Sequence, residues 1–155
     1  MSQSPDPWTG ARRVGVMLTC PRACDDTASR PAVEALISAL GAEIVVLHPR
    51  VQPVGRIRST VLGMATLRLD VAVILTPPNV SPYPIAYLSY LAGIRHRVGL
   101  SSEFGGSLLT RWVQDPTPPL PEPDRYLYLL RATGLSVALP RPSVEEEVEL
   151  SRYAS

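Results

Sequence analysis

The chain has 155 residues, the size of one domain, and its 45% of hydrophobic residues suffice for one sizeable core. Fifteen basic residues against fourteen acidic ones leave a net charge of +1 with no long run of either sign. That balance excludes a nucleic-acid partner held by phosphate neutralisation. No apolar run reaches the roughly 18 residues of a membrane-crossing helix.

Residues 1–13 are polar, carry Pro5 and Pro7, and lack the apolar centre of a secretion signal. A cytoplasmic location is therefore expected, compatible with peripheral contact at a membrane face. Residues 1–12 read as a disordered tail. All fifteen basic residues are arginine, which we read as codon bias. Cys20 and Cys24 stand in one short loop, and a disulfide framework needs more cysteines and a secretory context. His48 and His96 are the sole histidines, too few for a metal site with those thiols, so free cysteines and no metal or cofactor are expected.

In chain order, Val14–Leu18 (VGVML) is a continuous aliphatic run and reads as a buried first strand. After a polar loop, Pro31–Leu40 places Val33, Leu36, Ile37 and Leu40 at helical spacing, with Gly41 set to end the helix. Glu43–Leu47 (EIVVL) is a second buried strand, completing a strand–helix–strand unit of a doubly wound sheet. Arg56–Leu67 is expected to be helical, weakened by Gly63.

Asp70–Leu75 (DVAVIL) is the third strand, and Thr76–Tyr83 is a loop carrying Pro77, Pro78 and Pro82. Pro84 suits the first turn of a helix that runs to about Leu91. His96–Leu100 is a fourth strand. Glu103–Val113 holds the Gly105–Gly106 pair and then an apolar stretch. Gln114–Asp124, with five prolines, reads as an exposed connector. Arg125–Ala132 is an amphipathic helix stopped by Gly134. Ser143–Tyr153 opens with a capping box at Ser143 and Glu146, and 140–155 reads as a linker or terminal helix.

Continuous apolar strands alternating with helices predict an α/β domain: a Rossmann-like, doubly wound parallel sheet covered on both faces, with the domain over 13–139. In such sheets ligands bind outside the carboxyl ends of the strands. The loops Thr19–Arg30, Thr76–Tyr83 and Ser101–Gly106 are thereby predicted to share one rim.

The stretch Asp70–Val113, DVAVILTPPNVSPYPIAYLSYLAGIRHRVGLSSEFGGSLLTRWV, resembles family 9 glycosyltransferases, the group that includes the ADP-heptose:lipopolysaccharide heptosyltransferases. Strand, Ser/Pro loop, AYL..YLAGI helix, R.G strand and EFGG-like loop follow in the family's order. Asp124–Leu135 (DRYLYLLRATGL) is similar to the family's helix before the interdomain linker. The resemblance spans Arg12–Leu139 and is closest from Asp70 onward.

It implies the N-terminal, acceptor-side half of a two-Rossmann-domain B-type glycosyltransferase that inverts the anomeric carbon with a carboxylate base and no metal. A sugar or glycolipid acceptor, and a separately encoded donor-binding domain or self-association, would be the partners. The donor-binding half is expected to lie outside this chain. A non-catalytic sugar-binding or protein-interaction module, or an inactive remnant, are the alternatives.

The family's base lies in a Gly-Asp pair six residues before a helix proline. Asp25, six residues before Pro31, matches it, although Cys24 replaces the glycine. From the residues alone, Asp25 or Asp26 reads as a helix cap, and it is the resemblance that sets the base beside that reading. Arg97, Ser101, Glu103, Gly105 and Gly106 fall on the R.G and EFGG segments and are the candidate acceptor-binding residues. Arg97 suits a phosphorylated sugar, or else a surface ion pair with Glu103. The glycine pair permits close ligand approach or a tight turn. Ser81 and Tyr83 either bond a sugar or order their loop. Tyr87, Tyr90 and Trp112 read as core or domain-interface aromatics. Ser101–Ser102 lacks a histidine partner and is not a serine nucleophile.

Overall fold

The aliphatic runs at Arg13–Leu18, Val71–Leu75 and His96–Ser101 become strands because they are buried on both faces, which only a sheet covered by helices on either side permits. Glu43–Leu47, expected as a second buried strand, is instead an edge strand with none of its residues buried, because only one of its sides meets another strand. The computed structural model describes residues 6–19, 26–50 and 54–137. In chain order these form β1 (Arg13–Leu18), α1 (Arg30–Leu40), β2 (Glu43–Leu47), α2 (Ile57–Thr66), β3 (Val71–Leu75), α3 (Tyr83–Leu91), β4 (His96–Ser101), β5 (Arg111–Gln114) and α4 (Glu122–Ala132). Single 3-10 turns occur at Asp26–Ala28, Val54–Arg56 and Gly106–Leu108.

The sheet has the order β2-β1-β3-β4-β5, and every pair is parallel. The expected Rossmann-like single α/β domain is thus observed. Side chains alternate between the two faces along each strand. Val14, Val16, Leu18, Val71, Val73, Leu75, Val98 and Leu100 meet Ala32 and Leu36 of α1 and Tyr126, Leu129 and Leu130 of α4. Met17, Ala72 and Ile74 meet Met64 of α2, Ile85, Ala86 and Leu88 of α3, and Leu109.

Three further differences from the sequence reading have physical causes. The sequence predicts a disordered tail over 1–12, yet Trp8 is only 8% exposed and belongs to the first core. Its indole Nε1 donates to Thr133 O at 3.1 Å, so the domain begins before residue 13. Second, Arg111–Gln114 is a strand, where the sequence predicts only an apolar stretch. Third, α4 starts at Glu122, inside the proline-rich connector, because Pro123 occupies its first turn, where a missing N–H costs nothing. Cys20, Cys24, Asp25 and the segment 140–155 lie outside the described residues. Val51–Pro53 does too.

The β4–β5 connection is unusual. Parallel strands ordinarily need a crossover of a dozen or more residues, generally a helix. Here Ser102–Thr110 makes the passage with one 3-10 turn, running down the face that carries α2 and α3. Gly99 of β4 leaves room for it: a Cβ there would stand 3.1 Å from Leu109 Cδ2. A connection without helical hydrogen bonds leaves carbonyl oxygens to be satisfied in another way.

Candidate functional site

Because all five strands are parallel, the turns after β1, β3 and β4 emerge at one edge, as predicted. The chain leaves β1 to one side for β2 and returns across it to β3. The switch point of the topology is therefore the crevice between the carboxyl ends of β1 and β3, where α/β sheets receive ligands. Thr19, just after β1, bridges that crevice. Its hydroxyl donates to Leu75 O at 3.1 Å. Thr76, just after β3, is buried, and its hydroxyl has no hydrogen-bond partner among the described residues.

Two of the three lip loops are fastened to each other. The Tyr83 hydroxyl, at the start of α3, donates to Glu103 O. Its ring fills the space where a Gly105 side chain would stand: a Cβ there would be 2.7 Å from Tyr83 Cδ1 and closer still to Cε1 and Cζ. Gly105 therefore serves a close approach of Tyr83. Gly106 has φ of 68°, a turn conformation that favours glycine. Ser101 is buried, and its Oγ accepts the Glu103 N–H at 3.1 Å. Ser81 Oγ accepts the Tyr83 N–H at 3.2 Å, so both rim residues order their loop. Ser101, Glu103, Gly105 and Gly106 are thus brought together on one braced segment, and the Glu103 side chain is exposed.

Arg97 takes a different place from the one expected. It sits at the second position of β4, near the amino end, and is 7% exposed. Nε donates to Leu108 O at 2.6 Å, one terminal nitrogen to Ile94 O at 2.8 Å and the other to Ser107 O at 3.0 Å. The guanidinium also lies 5.3 Å from the centre of the Tyr90 ring. Burial works against its charge, and the surrounding carbonyls and ring face offset that cost. It satisfies the carbonyls of the helix-free crossover, and no ion pair with Glu103 forms. As an anchor for an acceptor phosphate it is ill placed.

Asp25 lies outside the described residues, so its surroundings enter none of this geometry. The helix-cap alternative is not what begins α1: Ser29 occupies the cap position. Tyr87 and Tyr90 are about half exposed on the outer side of α3, not core residues. Trp112 is half-buried. Its indole donates to Ser101 O at 3.1 Å, and its ring meets that of Phe104 edge-on at 5.4 Å.

Two features of the lip were missed from sequence. Arg125, in the first turn of α4, is 3% exposed. It donates to Thr76 O at 2.8 Å and pairs with Asp115 Oδ1 at 2.7 Å, tying α4 to the ends of β3 and β5. A helix-surface pattern gives no hint of such burial. The second is a depression of about 430 Å³ at the carboxyl end of β2, lined among others by His48, Arg50, Arg56, Ser59 and Thr60. The sequence signal for it was present: from Ile44 to Leu69 there are four arginines and no acidic residue.

No protein-family model matches the chain, and no curated protein matches it. Among solved structures, the chain is similar to a 3-dehydroquinate dehydratase-like protein from Bifidobacterium longum, at 15% identity and a TM-score of 0.46, over 79% of this chain and 95% of that one. It is also similar to a phosphate-loop protein studied in solution, at 20% identity and a TM-score of 0.36, over 62% of this chain and 82% of that one. Neither likeness extends to function. What stands is the architecture itself: a single Rossmann-like α/β domain whose parallel strands all end at one lip.

Proposed function

We propose that the chain is the acceptor-side domain of an inverting glycosyltransferase similar to family 9, receiving an anionic sugar or glycolipid at the carboxyl lip of its sheet. The observation that carries this reading is the convergence at that lip. The switch-point crevice, the Ser101–Gly106 segment and the depression with Arg50 and Arg56 open at one edge. Arginines without neighbouring carboxylates in sequence suit a phosphorylated acceptor, because a guanidinium binds phosphate through paired N–H donors. This moves the anion-binding role from Arg97 to Arg50 and Arg56.

Asp25, on the loop after β1, is assigned as the base that accepts the proton of the acceptor hydroxyl. The donor sugar is brought by a second, donor-binding domain. The reading requires no metal, since the nucleophile is an alcohol deprotonated by a carboxylate.

Titration of the full chain with glucose 6-phosphate, followed by NMR, tests the site. Shifts should cluster on 48–60, 76–83 and 101–106, and an Arg50→Ala, Arg56→Ala double variant should weaken binding about tenfold. Shifts confined to other surfaces, or binding indifferent to both arginines, would remove the basis for the proposal.

A further inference from the structure

A second depression, of about 630 Å³, lies beside the β4–β5 crossover, against the edge strand. Its volume falls within the range of small-molecule sites, about 300–1,000 Å³. Arg95 and Arg111 line it at the amino ends of β4 and β5, with Ser107 between them on the crossover. Leu109 and the Trp112 ring supply apolar wall, and Phe104, 69% exposed, stands edge-on to Trp112. An aromatic side chain left that far in water, beside a second ring, is an open stacking surface.

The charges are equally uncommitted. Neither Arg95 nor Arg111 has a carboxylate partner among the described residues. The carboxylates that act on the neighbouring His96, Asp6 and Asp70, are occupied elsewhere. Asp70 accepts the N–H groups of Arg12 and Arg13 at 2.8 and 3.0 Å. Asp6 accepts from Trp8 N at 3.0 Å and Thr9 Oγ at 3.1 Å.

We propose that this depression binds a nucleoside phosphate, its flat base on the exposed ring of Phe104, which the Trp112 ring braces at 68°, and its phosphate between Arg95 and Arg111. Two guanidinium groups fit a phosphate, and an exposed, braced ring fits a base; neither half alone accounts for the cavity's mixed lining. The site flanks β5 and shares Phe104 and Gly106 with the Ser101–Gly106 segment of the lip. It neither depends on the glycosyltransferase reading nor stands or falls with it.

The test uses the full chain and adenosine 5′-monophosphate, with adenosine and inorganic phosphate as the two halves of the ligand. The readout is the indole N–H signal of Trp112, one of two tryptophans in the chain. The nucleotide should shift that signal saturably, and each half should bind at least about tenfold more weakly. Arg95→Gln with Arg111→Gln, and separately Phe104→Ala, should each weaken the nucleotide about tenfold while leaving the melting temperature in place. The proposal is overturned by the absence of a saturable shift up to about 10 mM nucleotide. Equal affinity for the nucleotide and either half overturns it too, as do folded variants that bind like the parent. Should a variant fail to fold, the comparison of the three ligands on the parent chain decides alone.

Discussion

Arg97 illustrates how a single residue can be identified correctly in sequence and assigned the wrong work. Its position in an R.G strand is legible; its surroundings are not, because two of the three carbonyls it serves, those of Ser107 and Leu108, come from a connection whose path no pattern reveals, and the third is that of Ile94 just before β4. Removing it strands buried carbonyls, so Arg97→Ala should destabilise the domain by about 3 kcal/mol or more, measured by urea unfolding. Arg97→Lys should recover only part of this, since one ammonium cannot reach carbonyls arranged around a planar fork. A simple loss of ligand affinity with unchanged stability would contradict that role.

Asp70 offers a second single-residue prediction. The backbone N–H groups of Arg13 and Arg12 hold its carboxyl below the usual value of 3.8. A depressed folded-state value means the stabilisation is complete above the ordinary value and disappears as pH falls through the lowered one. Asp70→Asn should therefore be less stable than the parent at pH 7. That difference should narrow below about pH 4, checked by urea unfolding at both ends of the range.

At the scale of elements, most of the architecture could be read from the chain. β1 to β4 and α1 to α3 fall within a few residues of expectation, because buried parallel strands are continuous aliphatic runs and helices show their period. β5 escaped because its four residues, Arg111–Gln114, alternate no better than a loop and follow a crossover too short to signal a new strand. The Ser102–Thr110 passage is held by side chains in place of a helix's own ladder, so it should be sensitive to small changes. Gly105→Ala drives a methyl group into the Tyr83 ring and breaks the hydroxyl's bond to Glu103 O. We expect a loss of about 1–3 kcal/mol and faster proteolytic cutting between 102 and 110. Unaltered protease resistance would show that the two loops are not fastened in this way. The lip's cationic depression was likewise readable as an acid-free stretch, but only the fold brings Arg50 and Arg56 to the same hollow.

For the molecule as a whole, the proposed function gives this one sheet one side of a two-sided reaction. Transfer requires both substrates held in reacting geometry, which is worth orders of magnitude in effective concentration. These 155 residues alone are expected to release no nucleotide from a nucleotide-sugar in the presence of a phosphorylated sugar acceptor. Turnover by the purified chain would refute the division of labour proposed for it.

The bond from Trp8 to Thr133 has a practical corollary. It places the start of β1 and the close of α4 on the margin of the sheet remote from the lip, with α4 running roughly 16 Å between the two margins. Trp8 and Thr133 therefore both stand at the rear. A probe coupled beside either of them should leave the front surface unobstructed.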